Sequence, residues 1–205
     1  MKILGLTGGM GMGKSTVAAM LARAGMPVFD ADAVVRKLQS EPGPVLSAMA
    51  KLVPDAMAGG RLDRAALRRA VMARPHLLGQ LEAIIHPQVR LARARFLVRQ
   101  RRRGARWVVL DIPLLFETGA ERQCDHVLVV SAPRWVQARR VAARRGMSAA
   151  EASRLIARQM PDARRRLMAD TVLYTGGALG DTRRQARQFA RNCFAPRQLT
   201  RRQQA

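Results

Sequence analysis

Short, continuous apolar runs alternate along the chain with longer segments in which apolar residues recur every three or four positions. The short runs suit strands buried on both faces of a parallel sheet, and the longer segments have the period of helices. The first run, KILGL at residues 2–6, leads into glycines, and the helical pattern that follows ends at Gly25. Strand, glycine turn, helix and strand form a βαβ unit, which predicts an α/β fold with a parallel sheet core flanked by helices. We expect strands at residues 2–6, 27–30, 106–113, 126–132 and 171–175.

Residues 32 to about 103 differ from the rest because they carry only helical patterns, with Asp63 as the expected N-cap of one helix. We expect no strand in this segment. A helical insertion between two strands of an α/β core is interpreted here as a substrate-binding lobe. The predicted organisation is a single domain, with its core at about 1–31 and 104–205 and a helical acceptor lobe at about 32–103.

The last third of the chain is rich in arginine. A helix is predicted at residues 133–145, and the next helix begins where Ser148 and Glu151 have the spacing of a capping box. We expect an arginine-rich lid at about 140–168 and a disordered basic tail at about 196–205.

The net charge of the chain adds little to the predicted organisation. The 205 residues include 37 Lys and Arg against 14 Asp and Glu, which gives a net charge of +23. Such a charge favours an anionic partner, but an arginine-biased composition that fills solvated helix faces explains it equally well. Aromatic residues make up 4% of the chain and do not interleave with the arginines, so we expect no nucleic-acid partner.

The composition also indicates the cellular compartment of the protein. No apolar run approaches the roughly 18 residues of a membrane span, and the N-terminus lacks the pattern of a secretory signal. Cys124 and Cys193 have no metal-binding or redox spacing, which fits packing roles in a reducing compartment. We therefore expect a cytoplasmic protein without a membrane partner, and nothing in the sequence predicts its oligomeric state.

The strongest chemical signal lies between the first strand and the first helix. Gly8, Gly13, Lys14 and Ser15 satisfy the P-loop pattern G-x-x-x-x-G-K-[ST], whereas the dinucleotide pattern G-x-G-x-x-G is not satisfied. Glycines let backbone N–H groups surround phosphate oxygens, and the following helix directs its positive end at them. We expect Lys14 to reach the β- and γ-phosphates of a nucleotide and the Ser15 hydroxyl to bind Mg²⁺. The predicted fold is therefore a P-loop NTPase fold.

The rest of the chain narrows the class. A GTPase needs a guanine-reading N-K-x-D segment, but the only asparagine, Asn192, is followed by cysteine. This favours an ATP-dependent small kinase. Asp30 and Asp32 follow the second strand, where a carboxylate can accept the proton of an attacking hydroxyl, although either one can instead cap the next helix. Asp111 lies at the end of the third expected strand, where it can act on Mg²⁺ through water or cap the loop before Pro113.

Six segments of the chain carry a more specific signal: LTGGMGMGKST, VFDADAVVR, IIHPQVR, VVLDIPLLFETG, HVLVV and RQMPDARRRLMAD. Together they resemble the dephospho-coenzyme A kinase family, which transfers a phosphoryl group from ATP to the ribose 3′-hydroxyl of dephospho-CoA in the last step of CoA biosynthesis. The resemblance covers about residues 2–177 and implies ATP and dephospho-CoA as substrates, with Mg²⁺ as cofactor. Another small-molecule or nucleotide kinase, or a basic nucleic-acid-binding protein regulated by ATP, remains as an alternative.

The resemblance also implies a role for individual residues. Asp32 corresponds to the proposed catalytic base, Lys14 and Arg140 to groups that stabilise the transferred phosphoryl, and Arg165 to a further lid arginine. The expected ATP-binding residues are Gly11, Met12, Gly13, Lys14, Ser15, Thr16 and Arg144. The expected acceptor-binding residues are Asp32, Arg36, His86, Leu114, Leu115, Phe116 and Glu117.

Two positions depart from the family pattern. Met12 stands where a small residue is frequent, and we expect its backbone N–H still to bind phosphate. The segment YTGG at 174–177 replaces a more polar one, which puts any adenine or structural contact there in doubt.

Overall fold

A computed structural model describes residues 1–195 of the chain. The basic tail expected at 196–205 lies outside the described residues. The chain divides into two compact units, one formed by Met1–Phe29 with the chain from Gln100 onward, the other by Asp30–Arg99.

The first unit contains the main sheet. Numbered in chain order, its strands are ordered β2-β5-β1-β6-β7 across the sheet, and β1 pairs in parallel with both β5 and β6, as β6 does with β7. Every residue of β5 and β6 is buried, which explains why these strands are continuous apolar runs. The strands are β1 (Lys2–Thr7), β2 (Val28–Asp30), β5 (Trp107–Asp111), β6 (His126–Ser131) and β7 (Thr171–Tyr174).

Among residues 1–195, five helices lie wholly within the first unit, and the predicted α/β fold with a parallel sheet flanked by helices is confirmed. The helices are α1 (Lys14–Arg23), α6 (Arg134–Arg145), α7 (Ala149–Ala157), α8 (Asp162–Leu167) and α9 (Leu179–Phe194), and a 3-10 turn spans Ala120–Gln123. The predicted capping box is present at the start of α7, where the Glu151 N–H donates to the Ser148 hydroxyl and the Ser148 N–H to the Glu151 carboxylate.

Successive residues of β6 pack alternately into two apolar clusters. Leu128 and Val130 belong to the larger apolar cluster, to which α1 and α9 also contribute, whereas Val127 and Val129 pack with Leu115. In the larger cluster the Trp107 indole N–H donates to the backbone oxygen of Cys193, 2.8 Å away. Burial raises the pKa of the Cys193 thiol to about 11, which fits the packing role expected for it.

The second unit is mainly helical. Its helices are α2 (Ala31–Leu38), α3 (Pro44–Leu52), α4 (Arg64–Ala73) and α5 (His76–Arg102), which contains Pro87 and extends past Arg99 into the first unit. Asp63 is the N-cap of α4, as predicted, and hydrogen bonds from the backbone N–H groups of Ala66 and Ala65 lower the pKa of its carboxyl.

The expectation that no strand interrupts this segment is wrong. A 3-10 turn at Pro54–Ala56 leads into a short antiparallel hairpin of β3 (Met57–Ala58) and β4 (Arg61–Leu62). Gly59 and Gly60 connect the strands with φ of 56° and 75°, a conformation that favours glycine and suits a two-residue hairpin. Strands of two residues are too short to leave an alternating apolar pattern in the sequence.

Within residues 1–195, no helix combines the length and apolar character that crossing a bilayer requires.

Candidate active site

The phosphate-binding loop lies where the strand order of the sheet reverses. The chain first adds β2 and β5 on one side of β1 and then β6 and β7 on the other, and ligands of α/β sheets bind at such a reversal. Gly11 and Gly13 have φ of 76° and 87°, so both occupy the left-handed region that favours glycine. No side chain of the described residues caps α1, so the N–H groups of its first turn remain available to an anion.

Lys14, the first residue of α1, forms an ion pair with Asp111 at the end of β5. The side chains are 15% and 4% exposed, so the pair is largely shielded from water. Leu6 of β1 pairs with Asp111 in the sheet register, which brings the carboxylate to the edge at which the loop begins. The structure thus joins the two residues that the sequence proposed for phosphate and magnesium binding, and it places the hydroxyl residues Ser15 and Thr16 at exposed positions.

Met12 has a different environment from the one expected. Its side chain is buried in the larger apolar cluster, and its sulfur accepts a hydrogen bond from the Ala132 N–H at 3.0 Å. Its own backbone N–H donates to the Gly9 carbonyl at 3.1 Å, inside the loop, rather than pointing at an open site. Met12 therefore anchors the loop to the core.

Thr175, the residue directly after β7, holds the loop from another direction. Its hydroxyl donates to the Met12 carbonyl at 2.6 Å, and its backbone oxygen accepts from Arg140 at 2.7 Å. Arg140 also donates to the Thr175 hydroxyl at 3.2 Å and to the Gly11 carbonyl at 3.5 Å. The segment whose contacts were in doubt thus makes a structural contact through Thr175, a residue that the sequence analysis missed. A signal was present, because parallel strands end at one edge of a sheet and β7 ends near the loop.

A cavity of about 510 Å³ lies beside the loop in the first unit. Arg140 and Arg144, four residues apart on α6, both line it, and Thr16 contributes from α1. The volume lies within the range of roughly 300–1,000 Å³ that is typical of small-molecule sites. The remaining lining residues are Met10, Gly11, Gly13, Val141, Arg145, Thr175, Gly177, Leu179 and Thr182.

The segment after β5 contains four of the expected acceptor residues. Leu115 and Phe116 are buried in the smaller apolar cluster, whereas Leu114 is 53% exposed. Glu117 forms an ion pair with Arg165 at 3.5 Å. Because Arg165 is 2% exposed, it is a buried cation in α8.

The other acceptor candidates belong to the second unit. Asp30 is the N-cap of α2, accepting from the Ala33 N–H at 2.8 Å, and its second oxygen pairs with Arg36 at 3.5 Å. Asp32 lies in the first turn of the same helix and is exposed. His86 is an exposed residue of α5, directly before Pro87. Asp30 therefore caps the helix, which was the alternative to a catalytic role for either aspartate. Asp32 makes no hydrogen bond or ion pair with a described residue.

Comparison with known proteins shows the family of this chain. The family model described as dephospho-CoA kinase matches residues 2–181. The dephospho-CoA kinase of Gluconobacter oxydans is 52% identical over 189 residues, which cover 90% of this chain and 94% of the relative. A Thermus thermophilus protein of known crystal structure has a TM-score of 0.77 and 41% identity, covering 93% of this chain and 97% of its own. A dephospho-CoA kinase from Campylobacter jejuni shares the fold, with a TM-score of 0.64, 19% identity and coverage of 94% and 97%.

A parallel sheet with a lysine-bearing glycine loop at its point of reversal defines a P-loop fold, whose members bind the phosphates of nucleotides at that loop. The family match over residues 2–181 and the identity to curated relatives are more specific, and the chain belongs to the dephospho-CoA kinase family.

Proposed function

We propose that this chain transfers the γ-phosphoryl group of ATP to the ribose 3′-hydroxyl of dephospho-CoA, with Asp32 as the catalytic base. The observation that carries the proposal is the match of residues 2–181 to the family model, which includes an intact phosphate-binding loop. We further propose that the reaction takes place in the cytoplasm, where the free thiols Cys124 and Cys193 stay reduced.

ATP binding is assigned to the loop and the adjoining cavity. The uncapped start of α1 and the glycine backbone supply N–H donors for the phosphates, and Lys14 supplies a positive charge. The 510 Å³ cavity has room for the nucleoside part of ATP, and Arg140 and Arg144 on its wall would balance the phosphate charge. In this assignment Met12 supports the loop from the core, and Gly11, Gly13, Lys14, Ser15 and Thr16 form the site.

The donor set next to Lys14 fits Mg²⁺. This ion prefers oxygen ligands and is usually held by one or two protein groups together with phosphates and water. The Ser15 hydroxyl and the Asp111 carboxylate are such groups, the first as a direct ligand and the second through water. When bound, Mg²⁺ would neutralise part of the charge on the phosphates and so favour attack by an alcohol.

Asp32 is assigned the role of base because its carboxylate is exposed while that of Asp30 is committed to capping α2. Asp32 would accept the proton of the 3′-hydroxyl as its oxygen attacks the γ-phosphorus, and the bond to the ADP leaving oxygen would break in the same transfer. Lys14 and Arg140 would stabilise the charge that spreads over the transferred group. We assign acceptor binding to Arg36, His86, Leu114 and Glu117, with Leu115 and Phe116 as the buried support of the last two.

The test compares Asp32→Asn with Asp55→Asn, a change of another exposed aspartate in the same unit. Loss of a general base lowers turnover by about 10²- to 10⁴-fold. We expect that loss for Asp32→Asn, with the KM for ATP nearly unchanged, and wild-type kinetics for Asp55→Asn. Turnover of Asp32→Asn within threefold of wild type would remove Asp32 as the base.

A further inference from the structure

Two glutamine side chains hold the tip of the phosphate-binding loop at a single residue. Gln137 of α6 donates from Nε2 to the backbone oxygen of Met10, 2.9 Å away. Gln159, just after α7, accepts the backbone N–H of Met10 at Oε1, also at 2.9 Å. Both polar groups of this residue's backbone are therefore bound by side chains from the arginine-rich part of the chain.

Gly9, the preceding residue, is enclosed by the same side chains and by a third. A Cβ atom built on Gly9 would lie 3.0 Å from Gln137 Nε2, 3.1 Å from Arg165 Nη1 and 3.3 Å from Gln159 Oε1. We call Gln137, Gln159 and Arg165 the loop bracket. Its members come from α6, the segment after α7, and α8, and together they leave little room for a side chain at Gly9.

Two members of the bracket are buried, and this gives their contacts weight. Gln137 is 4% exposed and Arg165 2% exposed, whereas Gln159 is half-buried. A hydrogen bond lost in such surroundings leaves its partner without water as a substitute, which makes the loss more costly than at the surface. Arg165 also pairs with Glu117 at 3.5 Å, so the bracket is connected to the segment that follows β5.

A loop of this composition needs such support in order to bind phosphate well. Gly8, Gly9, Gly11 and Gly13 give the backbone many accessible conformations, and ordering it on ligand binding costs conformational entropy. Contacts that order the loop beforehand remove that cost from the binding step. Neither glutamine needs to touch the nucleotide to have this effect.

We propose that Gln137 and Gln159 are positioning residues, which fix the backbone of Met10 and thereby set the affinity of the loop for ATP. The proposal rests on the proposed function only in that ATP is taken as the ligand of the loop. The two glutamines are proposed to affect the affinity for the nucleotide and not the affinity for the acceptor.

The test uses Gln137→Met and Gln159→Met, which keep the length of the side chain and remove its hydrogen-bonding group. Gln188→Met is the matched control, since Gln188 is an exposed residue of α9 whose amide donates to Asn192 at 2.9 Å. For each protein, calorimetry gives the Kd of ATP without acceptor, and steady-state kinetics give kcat and the KM of each substrate. Circular dichroism at the assay temperature verifies that each variant is folded.

A hydrogen bond contributes about 1 kcal/mol, which corresponds to roughly a fivefold change in affinity. We expect each bracket variant to raise the Kd and the KM of ATP about fivefold or more, with the KM of dephospho-CoA changed less than twofold. Gln188→Met is expected to match wild type.

An unchanged Kd for ATP in both folded bracket variants would overturn the inference, as would an equal rise in the KM of both substrates. A purely structural role would lower the melting temperature and leave the Kd of ATP at 25 °C as in wild type, and this result would overturn the inference too. A wild-type protein that binds ATP but leaves dephospho-CoA unchanged would contradict the proposed function instead, and the Kd comparison would still decide the role of the bracket.

Discussion

Replacing Lys14 by methionine separates the folding role of this residue from its chemical role. Lys14 pairs with Asp111, whose side chain is 4% exposed. Lys14→Met removes the cation and leaves the carboxylate in a site from which water is nearly excluded. Adding Asp111→Asn then removes the remaining negative charge while keeping the shape of the side chain.

The size of the effect follows from burial. Removing one partner of a buried ion pair costs about 3–5 kcal/mol, and the 15% exposure of Lys14 favours the lower value. We therefore expect Lys14→Met to lower the free energy of unfolding by about 3 kcal/mol. For a domain of this size this corresponds to a melting temperature lower by about 6–12 °C. The double variant is expected to recover about 2 kcal/mol of the loss, because the negative charge that Lys14 balances is removed as well.

The assay is urea denaturation without nucleotide, run together with phosphoryl transfer at 25 °C. Both variants are expected to be nearly inactive, since neither has the cation that meets the phosphates. A coupling energy between the two positions below about 1 kcal/mol, the size of an exposed pair, would refute the argument from burial. Activity in the double variant close to wild type would refute the chemical role of Lys14.

Substitutions at three further positions test separate parts of the structure. Thr175→Val removes the hydroxyl that donates to Met12, and we expect a loss of about 1–3 kcal/mol in urea denaturation, whereas Thr175→Ser keeps the hydroxyl and most of the stability. Gly8→Ala would bring a Cβ to 2.7 Å from the backbone oxygen of Val130, and we expect it to lower the melting temperature through an overpacking cost of about 1–3 kcal/mol. Burial raises the pKa of Cys193 from 9.0 to about 11, so the folded state retains the thiol proton longer than the unfolded state does. The free energy of unfolding should therefore fall as the pH rises from 9.0 toward 11, and the same pH series on Cys193→Ala should be flatter.

Features that depend on residues close together along the chain can be predicted from the sequence. The phosphate-binding loop, the Asp63 cap and the capping box of Ser148 each rest on residue types at fixed short spacings, and the structure has a loop, a cap and a box at those positions. The five strands of the parallel sheet were also predicted, because buried strands leave continuous apolar runs.

Most contacts between distant parts of the chain could not be predicted. Gln159 is 149 residues from Met10, and no local pattern indicates that the two meet. Thr175 is 163 residues from Met12, and only the edge shared by the ends of parallel strands indicates that they lie close together. Distance along the chain also explains why the burial of Arg165 is not predicted. The resemblance places this residue in a lid, whereas the structure buries it beside Gly9.

The most direct test of the proposed function is an ADP-release assay with Mg-ATP, in which dephospho-CoA is compared with shikimate, gluconate and nucleoside monophosphates at equal concentration. We predict rapid ADP release with dephospho-CoA alone, formation of CoA carrying a 3′-phosphate by ³¹P NMR, and loss of both in Lys14→Met. Faster release with any other acceptor, or ADP release without a phosphorylated product, would contradict the proposal.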